Sequence, residues 1–104
     1  MTAAILWSER ARRDLLEIGD FIARDKPQAA KRWVGKVLNA IERTAAFPTS
    51  GRIVPEIDRS DIREVILDNY RIVYQLGETS IIILAVFESH RSLGETLTNP
   101  NGSP

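Results

Sequence analysis

Apolar residues in the first half of the chain recur at the spacing of two amphipathic helices that follow a short strand. The apolar run at residues 3–7 is typical of a strand, and Ser8 after it suits a helix N-cap. The first helix carries an apolar stripe formed by Ala11, Leu15, Ile18 and Ile22. The second carries a stripe formed by Ala30, Val34, Val37, Ile41 and Ala45. Asp25-Lys26-Pro27 separates the two stripes, so we expect a helical hairpin with Asp25 as the second cap.

The second half of the chain has the shorter, alternating runs of β-strands. Residues 62–67, 70–76 and 80–87 are separated by the turn formers Asp68-Asn69 and Gly77-Glu78-Thr79, whereas residues 52–60 show no regular pattern. The last run, SIIILAVF, is apolar throughout, which predicts a central strand covered on both faces. The order β-α-α-β-β-β predicts an α+β fold with a helical hairpin packed on a small, mostly antiparallel sheet.

Length and composition fit one soluble domain. We expect that domain at residues 1–92 and a flexible, turn-rich tail at residues 93–104. The chain has 104 residues, no formal net charge, no cysteine and one histidine. This composition argues against disulfides, a structural metal site and a protein that binds nucleic acid directly. No run is long enough to cross a membrane, so a cytoplasmic protein is expected.

Polar residues on the predicted hairpin strands are the candidates for chemistry. Alternation places Arg71 beside Val73 on one strand face, where a partly buried guanidinium needs a carboxylate partner from Glu56 or Glu64. One interpretation is a structural ion pair. The alternative is an active site, in which His90 acts as an acid or base and arginines bind a phosphate. A partly exposed histidine without a chemical role is equally compatible with the sequence.

Three large apolar residues lie off the centres of the helical stripes, namely Leu16, Phe21 and Trp33. They either widen the faces that pack on the core or form an exposed patch for a partner.

Several short motifs in this order resemble the RelE/ParE superfamily of toxins from bacterial type II toxin–antitoxin modules, and the ParE branch most closely. They are W-S-x-x-A-x-x-D-L-x-x-I at residues 7–18, P-x-A-A-x-x-W at 27–33, FPTSGR at 47–52, Pro55-Glu56, REVI at 63–66 and YRIVY at 70–74. The resemblance spans nearly the whole predicted domain and implies the same fold, a helical hairpin against an antiparallel sheet.

The resemblance implies two alternative activities. ParE-type members inhibit DNA gyrase by trapping its cleaved DNA complex, and the resemblance favours this activity for the present chain. RelE-type members are metal-independent endonucleases that cut mRNA on the ribosome. Under the second alternative the matching residues are Glu56, Arg63, Arg71 and His90. Arg91 stands where some nuclease members have a tyrosine. This departure counts against the nuclease alternative and so favours gyrase inhibition.

The resemblance also implies the partners. A ParD-like antitoxin is expected in the groove between helical hairpin and sheet, with Leu16, Phe21 and Trp33 as contributors. Operator DNA is expected to bind only through the antitoxin complex, and no cofactor, metal, membrane or small-molecule substrate is expected. An inert member kept as an antitoxin-binding scaffold is a third hypothesis.

Overall fold

The computed structural model describes residues 2–89 of the protein. Its elements are β1 (Ala4–Trp7), α1 (Glu9–Ala23), α2 (Pro27–Ala46), a 3-10 turn (Pro48–Ser50), β2 (Arg52–Ile53), β3 (Ile62–Leu67), β4 (Tyr70–Leu76) and β5 (Ser80–Glu88). The predicted α+β fold, with a helical hairpin and a mostly antiparallel sheet, is confirmed. The predicted tail, residues 93–104, lies outside the described residues, and the domain boundary at residue 92 stays a prediction.

The five strands form one sheet in the order β1-β5-β4-β3-β2. The pair β1 and β5 is parallel, and the other three neighbouring pairs are antiparallel. The register between β4 and β5 shifts at Val73 and Tyr74, which pair with Ala85 and Ile83, so Leu84 is an extra residue on β5.

Apolar residues are buried on both faces of the sheet. Under the helices, the core combines residues of α2 with residues of the two central strands, among them Val37, Ile41, Ile72, Tyr74, Ile81, Ile83 and Val86. On the opposite face, the loop between β2 and β3 covers a smaller cluster of Val54, Ile62, Val73, Ala85 and Phe87. The apolar run of β5 is therefore central and covered on both sides, as its composition predicts.

The element boundaries show where local rules hold and where they fail. The Ser8 hydroxyl accepts the backbone N–H of Ala11 at 2.9 Å and caps α1 as expected. The expected cap at Asp25 is wrong, because Lys26 occupies the N-cap position of α2 and makes no side-chain cap bond. Pro27 starts that helix without needing a donor partner. Strand β2 is only two residues long, which is too short for a recognisable alternation.

Candidate functional site: the ion-paired sheet face and the helical hairpin

A buried arginine on β4 is held by two carboxylates on the sheet face that the helices leave uncovered. Arg71 donates through Nε to Oε1 of Glu64 at 2.6 Å. Its Nη1 and Nη2 donate to the two carboxylate oxygens of Glu56 at 2.7 and 2.9 Å. Glu64 lies on β3, two residues from the cross-strand partner of Arg71 and hence on the same face. Arg71 is 5% exposed and Glu64 1%.

Two further groups lie against this ion pair. Arg52 on β2 pairs with the second oxygen of the Glu64 carboxylate. The ring of Phe87, across from Arg71 on β5, has its centroid 5.3 Å from the guanidinium carbon. Hydrogen bonding to Glu56 raises the pKa of Arg71 against the opposing effect of burial, and Glu64 adds to the increase. The guanidinium is thus a permanent cation directed at protein carboxylates, and it cannot exchange protons near neutral pH.

Arg63 lies on the opposite face of β3 and bonds to backbone carbonyls. Its Nη1 donates to Thr49 O at 3.1 Å and to Gly51 O at 3.0 Å, while its Nε donates to Ser60 O at 3.0 Å. The side chain therefore ties the 3-10 turn and the start of β2 to the loop that precedes β3.

Of the four residues named for the nuclease alternative, the three that lie in the described part of the chain do not converge on one point. Glu56 and Arg71 are bonded to each other, whereas Arg63 lies on the other face of the sheet. His90 lies outside the described residues, as does Arg91. A catalytic role for the four stays a prediction.

Tyr74 joins two of the motifs that carry the family resemblance. Its hydroxyl donates to Pro48 O at 2.6 Å and accepts the backbone N–H of Gly51 at 3.0 Å, and burial raises its pKa. A Cβ at Gly51 would lie 2.5 Å from that hydroxyl oxygen, so the position has no room for a side chain. The glycine of FPTSGR and the second tyrosine of YRIVY are thus parts of one buried contact that anchors β2 to the core.

The buried carboxylate of Asp14 accounts for the aspartate in the motif at residues 7–18, although the sequence pattern did not mark it as a functional residue. Beyond the end of β1, the backbone N–H of Val86 on β5 donates to Oδ2 of Asp14 at 2.9 Å. Arg10 donates to Oδ1 of Asp14 at 2.9 Å, and the Ser8 hydroxyl donates to Leu84 O at 3.0 Å. Burial raises the pKa of Asp14, although the Val86 and Arg10 bonds oppose that increase. Helix α1 therefore takes over from β1 as the hydrogen-bond partner of the β5 edge.

The three off-axis apolar residues divide into two groups. Leu16 is 63% exposed and Phe21 70%, so both remain available to a partner. Trp33 is 7% exposed, belongs to the main core and has its ring centroid 5.1 Å from that of Tyr70. Its inclusion in an exposed patch is therefore wrong, because Tyr70 at the start of β4 meets the indole from the sheet side.

Phe21 also borders an open cleft of about 440 Å³ at the tip of the helical hairpin, beside Ile22 and the charged Arg24, Asp25 and Lys26. The described residues contain no cluster of three or more His, Cys, Asp or Glu side chains able to hold a metal ion. No helix in the same part of the chain combines the length and apolar character needed to cross a membrane.

Comparison with known proteins agrees with this architecture. The family model of the "ParE toxin of type II toxin-antitoxin system, parDE" matches residues 5–93. The candidate toxin Y4kP of Sinorhizobium fredii is 37% identical over 95 residues, which cover 89% of this chain and 95% of that protein. Toxin RelE2 of Caulobacter vibrioides is 29% identical over 90 residues, which cover 86% of this chain and 98% of that protein.

Two solved structures share the fold. A chain of the chromosomal ParDE toxin–antitoxin system of P. aeruginosa superposes with a TM-score of 0.70 at 18% identity, over 84% of this chain and 96% of that one. A chain of the RelBE2 toxin–antitoxin complex of Mycobacterium tuberculosis gives a TM-score of 0.54 at 18% identity, over 85% of this chain and 99% of that one. The family match covers all of the helices and strands except Ala4, the first residue of β1, and the chain therefore belongs to the ParE toxin family of type II toxin–antitoxin systems, within the RelE/ParE superfamily.

Proposed function

We propose that this toxin acts on DNA gyrase, where it stabilises the complex in which gyrase has cleaved its DNA. The match of the ParE family model to residues 5–93 is the observation that carries the proposal. A gyrase-directed toxin acts by binding a protein target and needs no acid–base side chains of its own. The polar residues of the described sheet are then part of the scaffold.

The geometry of the two sheet arginines supports this proposal. Cleavage of RNA by general acid–base catalysis needs a group that exchanges protons near neutral pH and donors directed at the phosphate. Arg71 is enclosed by two carboxylates, and its pKa is raised by them. Arg63 bonds to three backbone carbonyls on the other face. Both side chains hold protein segments together.

A ParD-like antitoxin neutralises the toxin in this account. Leu16 and Phe21 on α1 are exposed and contribute apolar contacts to the antitoxin in this proposal. Operator DNA binds through the antitoxin in the toxin–antitoxin complex. The toxin works in the cytoplasm, where gyrase and its DNA are found, and uses no cofactor or small-molecule substrate.

The proposal is tested by incubating the purified protein with DNA gyrase, supercoiled plasmid and ATP, followed by detergent and protease treatment. We expect linear plasmid to accumulate with toxin concentration, and to disappear when gyrase is omitted. A folded protein that stops growth on expression but yields no linear DNA would refute a gyrase target.

Ribosome-dependent cleavage of mRNA is the second candidate. The observation that favours it is the similarity to a protein named Toxin RelE2, over 86% of this chain. In a translating extract, this alternative predicts cuts in a reporter mRNA that depend on ribosomes and are lost in Glu56→Gln. The gyrase proposal predicts an intact reporter.

A further inference from the structure

We propose that the outer face of α2 around Gly35 binds the phosphate backbone of duplex DNA, namely the DNA that gyrase holds in the cleaved complex. This surface consists of Lys31, Arg32, Gly35 and Asn39 and is called the Gly35 face. The inference rests on the proposed action on gyrase and deepens it, because the toxin then contacts the DNA of the complex as well as the protein.

Nothing within the described part of the chain requires a glycine at position 35. Gly35 is the ninth residue of the 20-residue helix α2, and glycine inside a helix is less stable than almost any other residue. A Cβ at this position would meet no atom within 4 Å outside its own stretch of helix. Gly19 on α1 differs, because a Cβ there would contact the Val34 side chain at 3.7 Å. The open space over Gly35 leaves the helix backbone accessible to the close approach of a partner.

Hydrogen-bond donors surround this open space. Lys31 and Arg32 lie four and three residues before Gly35, and Asn39 lies four residues after it, and all three side chains are exposed. Within the described residues, the ion pair that α2 makes is that of Lys36, whose Nζ lies 3.5 Å from a carboxylate on the turn after β3. Lys36 is therefore not counted as part of the Gly35 face, whereas Lys31 and Arg32 are available to a ligand.

Charge is unevenly distributed along the neutral chain. Residues 26–41 contain four cations and no acidic residue. Helix α1 provides the contrast, because its adjacent Arg12 and Arg13 lie one turn from Glu9 and Glu17. The potential at the outer face of α2 is therefore positive, although the chain as a whole has no formal net charge.

These features match a phosphate backbone better than an acidic peptide. Lysine, arginine and asparagine side chains are common donors to phosphate oxygens in protein–DNA interfaces. Peptides bind through an open strand edge or an apolar groove as well as through charge, whereas α2 bonds its own backbone within the helix. A duplex presents its phosphates as a ridge, and the missing side chain at position 35 allows that ridge to approach the helix between the two cations and Asn39.

Binding through two cations is weak in free solution, and its strength depends on salt in a defined way. Each neutralised phosphate contributes about −0.9 to the slope of log K against log salt concentration, so Lys31 and Arg32 together contribute about −1.8. When the toxin is bound to gyrase, the DNA lies at a high effective concentration. A contact that is weak by itself therefore stabilises the complex.

The test measures binding of a short fluorescent DNA duplex to the purified protein, without gyrase, over a series of salt concentrations. We expect the double variant Lys31→Gln/Arg32→Gln to reduce the steepness of the salt dependence by about 1.8 and to weaken binding at low salt roughly tenfold. Arg12→Gln/Arg13→Gln makes the same charge change on α1 and is expected to bind like the wild type. A Glu-rich peptide is the competing probe, and we expect it to leave the duplex bound.

The variant Gly35→Leu separates a binding role of the glycine from a structural one. Leucine is a much better helix former and enters open space, so we expect the melting temperature to rise by about 4 °C. Duplex binding is expected to weaken by about fivefold or more, because the side chain blocks the approach. Ala46→Leu adds similar bulk at an exposed position about 16 Å along the helix axis and is expected to bind like the wild type.

The inference is overturned if the wild type fails to bind the duplex at low salt, if the α1 and α2 double variants bind equally well, if Gly35→Leu binds as tightly as the wild type, or if the peptide displaces the duplex. In the gyrase cleavage assay, the α2 double variant should need several-fold more protein for the same amount of linear plasmid, and equal potency would also overturn it. A wild type that yields no linear plasmid contradicts the gyrase target whatever the duplex result, so the two failures are distinguishable.

Discussion

Replacing Arg71 by methionine tests whether the ion pair on the sheet holds the fold. Methionine keeps much of the side-chain volume but removes the cation between Glu64 and Glu56. Removing one partner of a buried ion pair costs about 3–5 kcal/mol, because the remaining charge is left buried without its partner. Glu64 keeps its contact with Arg52, and the Glu56 side chain is 36% exposed and can be hydrated, so the lower end of this range applies.

We therefore expect Arg71→Met to lose about 3 kcal/mol of unfolding free energy. For a domain of this size that loss lowers the melting temperature by on the order of 15 °C. Urea unfolding followed by circular dichroism measures it directly. Adding Glu64→Gln to Arg71→Met is expected to recover about 1 kcal/mol or more of unfolding free energy, because it removes the buried negative charge that Arg71 no longer neutralises. Glu64→Gln alone is expected to destabilise the protein.

A single variant Arg71→Met that melts within about 3 °C of the wild type would refute this reasoning. So would a double variant no more stable than the single one. If the near-native Arg71→Met protein also lost its toxicity, Arg71 would instead be part of a functional site, since a structural role predicts that toxicity and stability fall together.

The remaining predictions concern one buried carboxylate, one buried hydroxyl and the exposed face of α1. Burial raises the folded-state pKa of Asp14, so its favourable contribution is fully present below the unfolded pKa of about 3.9 and is lost as pH rises through the folded value. Wild type should therefore lose stability relative to Asp14→Asn as the pH rises above about 4. A stability gap in urea unfolding that does not change as the pH is raised from there would contradict the assignment. Tyr74→Phe leaves two buried backbone groups without their partner and should cost about 1–3 kcal/mol by the same method; a cost below about 0.5 kcal/mol would show that the contact contributes little. Leu16→Ala and Phe21→Ala should each change stability by less than about 0.5 kcal/mol, yet the antitoxin should restore growth less well to cells that express either variant. Leu38→Ala, at an exposed leucine on α2, is the matched control. If the antitoxin restored growth fully with both α1 variants, these two residues would be excluded from the antitoxin interface.

The sequence predicted those parts of the fold that depend on local periodicity. The stripes of α1 and α2, the cap at Ser8 and the alternation in β3 and β4 are each set by residues a few positions apart. The apolar run of β5 likewise predicted its central position.

The parts that could not be predicted depend on contacts between distant segments. The contact of Asp14 with the N–H of Val86 spans 72 residues and exists because β1 ends before β5 does. The sequence named Glu56 and Glu64 as alternative partners of Arg71; the register of β3 and β4 brings Glu64 to it, and only the path of the loop after β2 adds Glu56. Trp33 lies off the stripe by spacing, but the position of Tyr70 places it in the core.

The most direct test of the central claim is the gyrase cleavage assay with wild type and Glu56→Gln side by side, since the Glu56 side chain is 36% exposed whereas that of Glu64, the other carboxylate bonded to Arg71, is fully buried. If the sheet residues are scaffold and gyrase is the target, both proteins will accumulate linear plasmid to a similar extent. Absence of linear plasmid with either protein, together with ribosome-dependent cleavage of mRNA by the wild type and not by Glu56→Gln, would contradict the account.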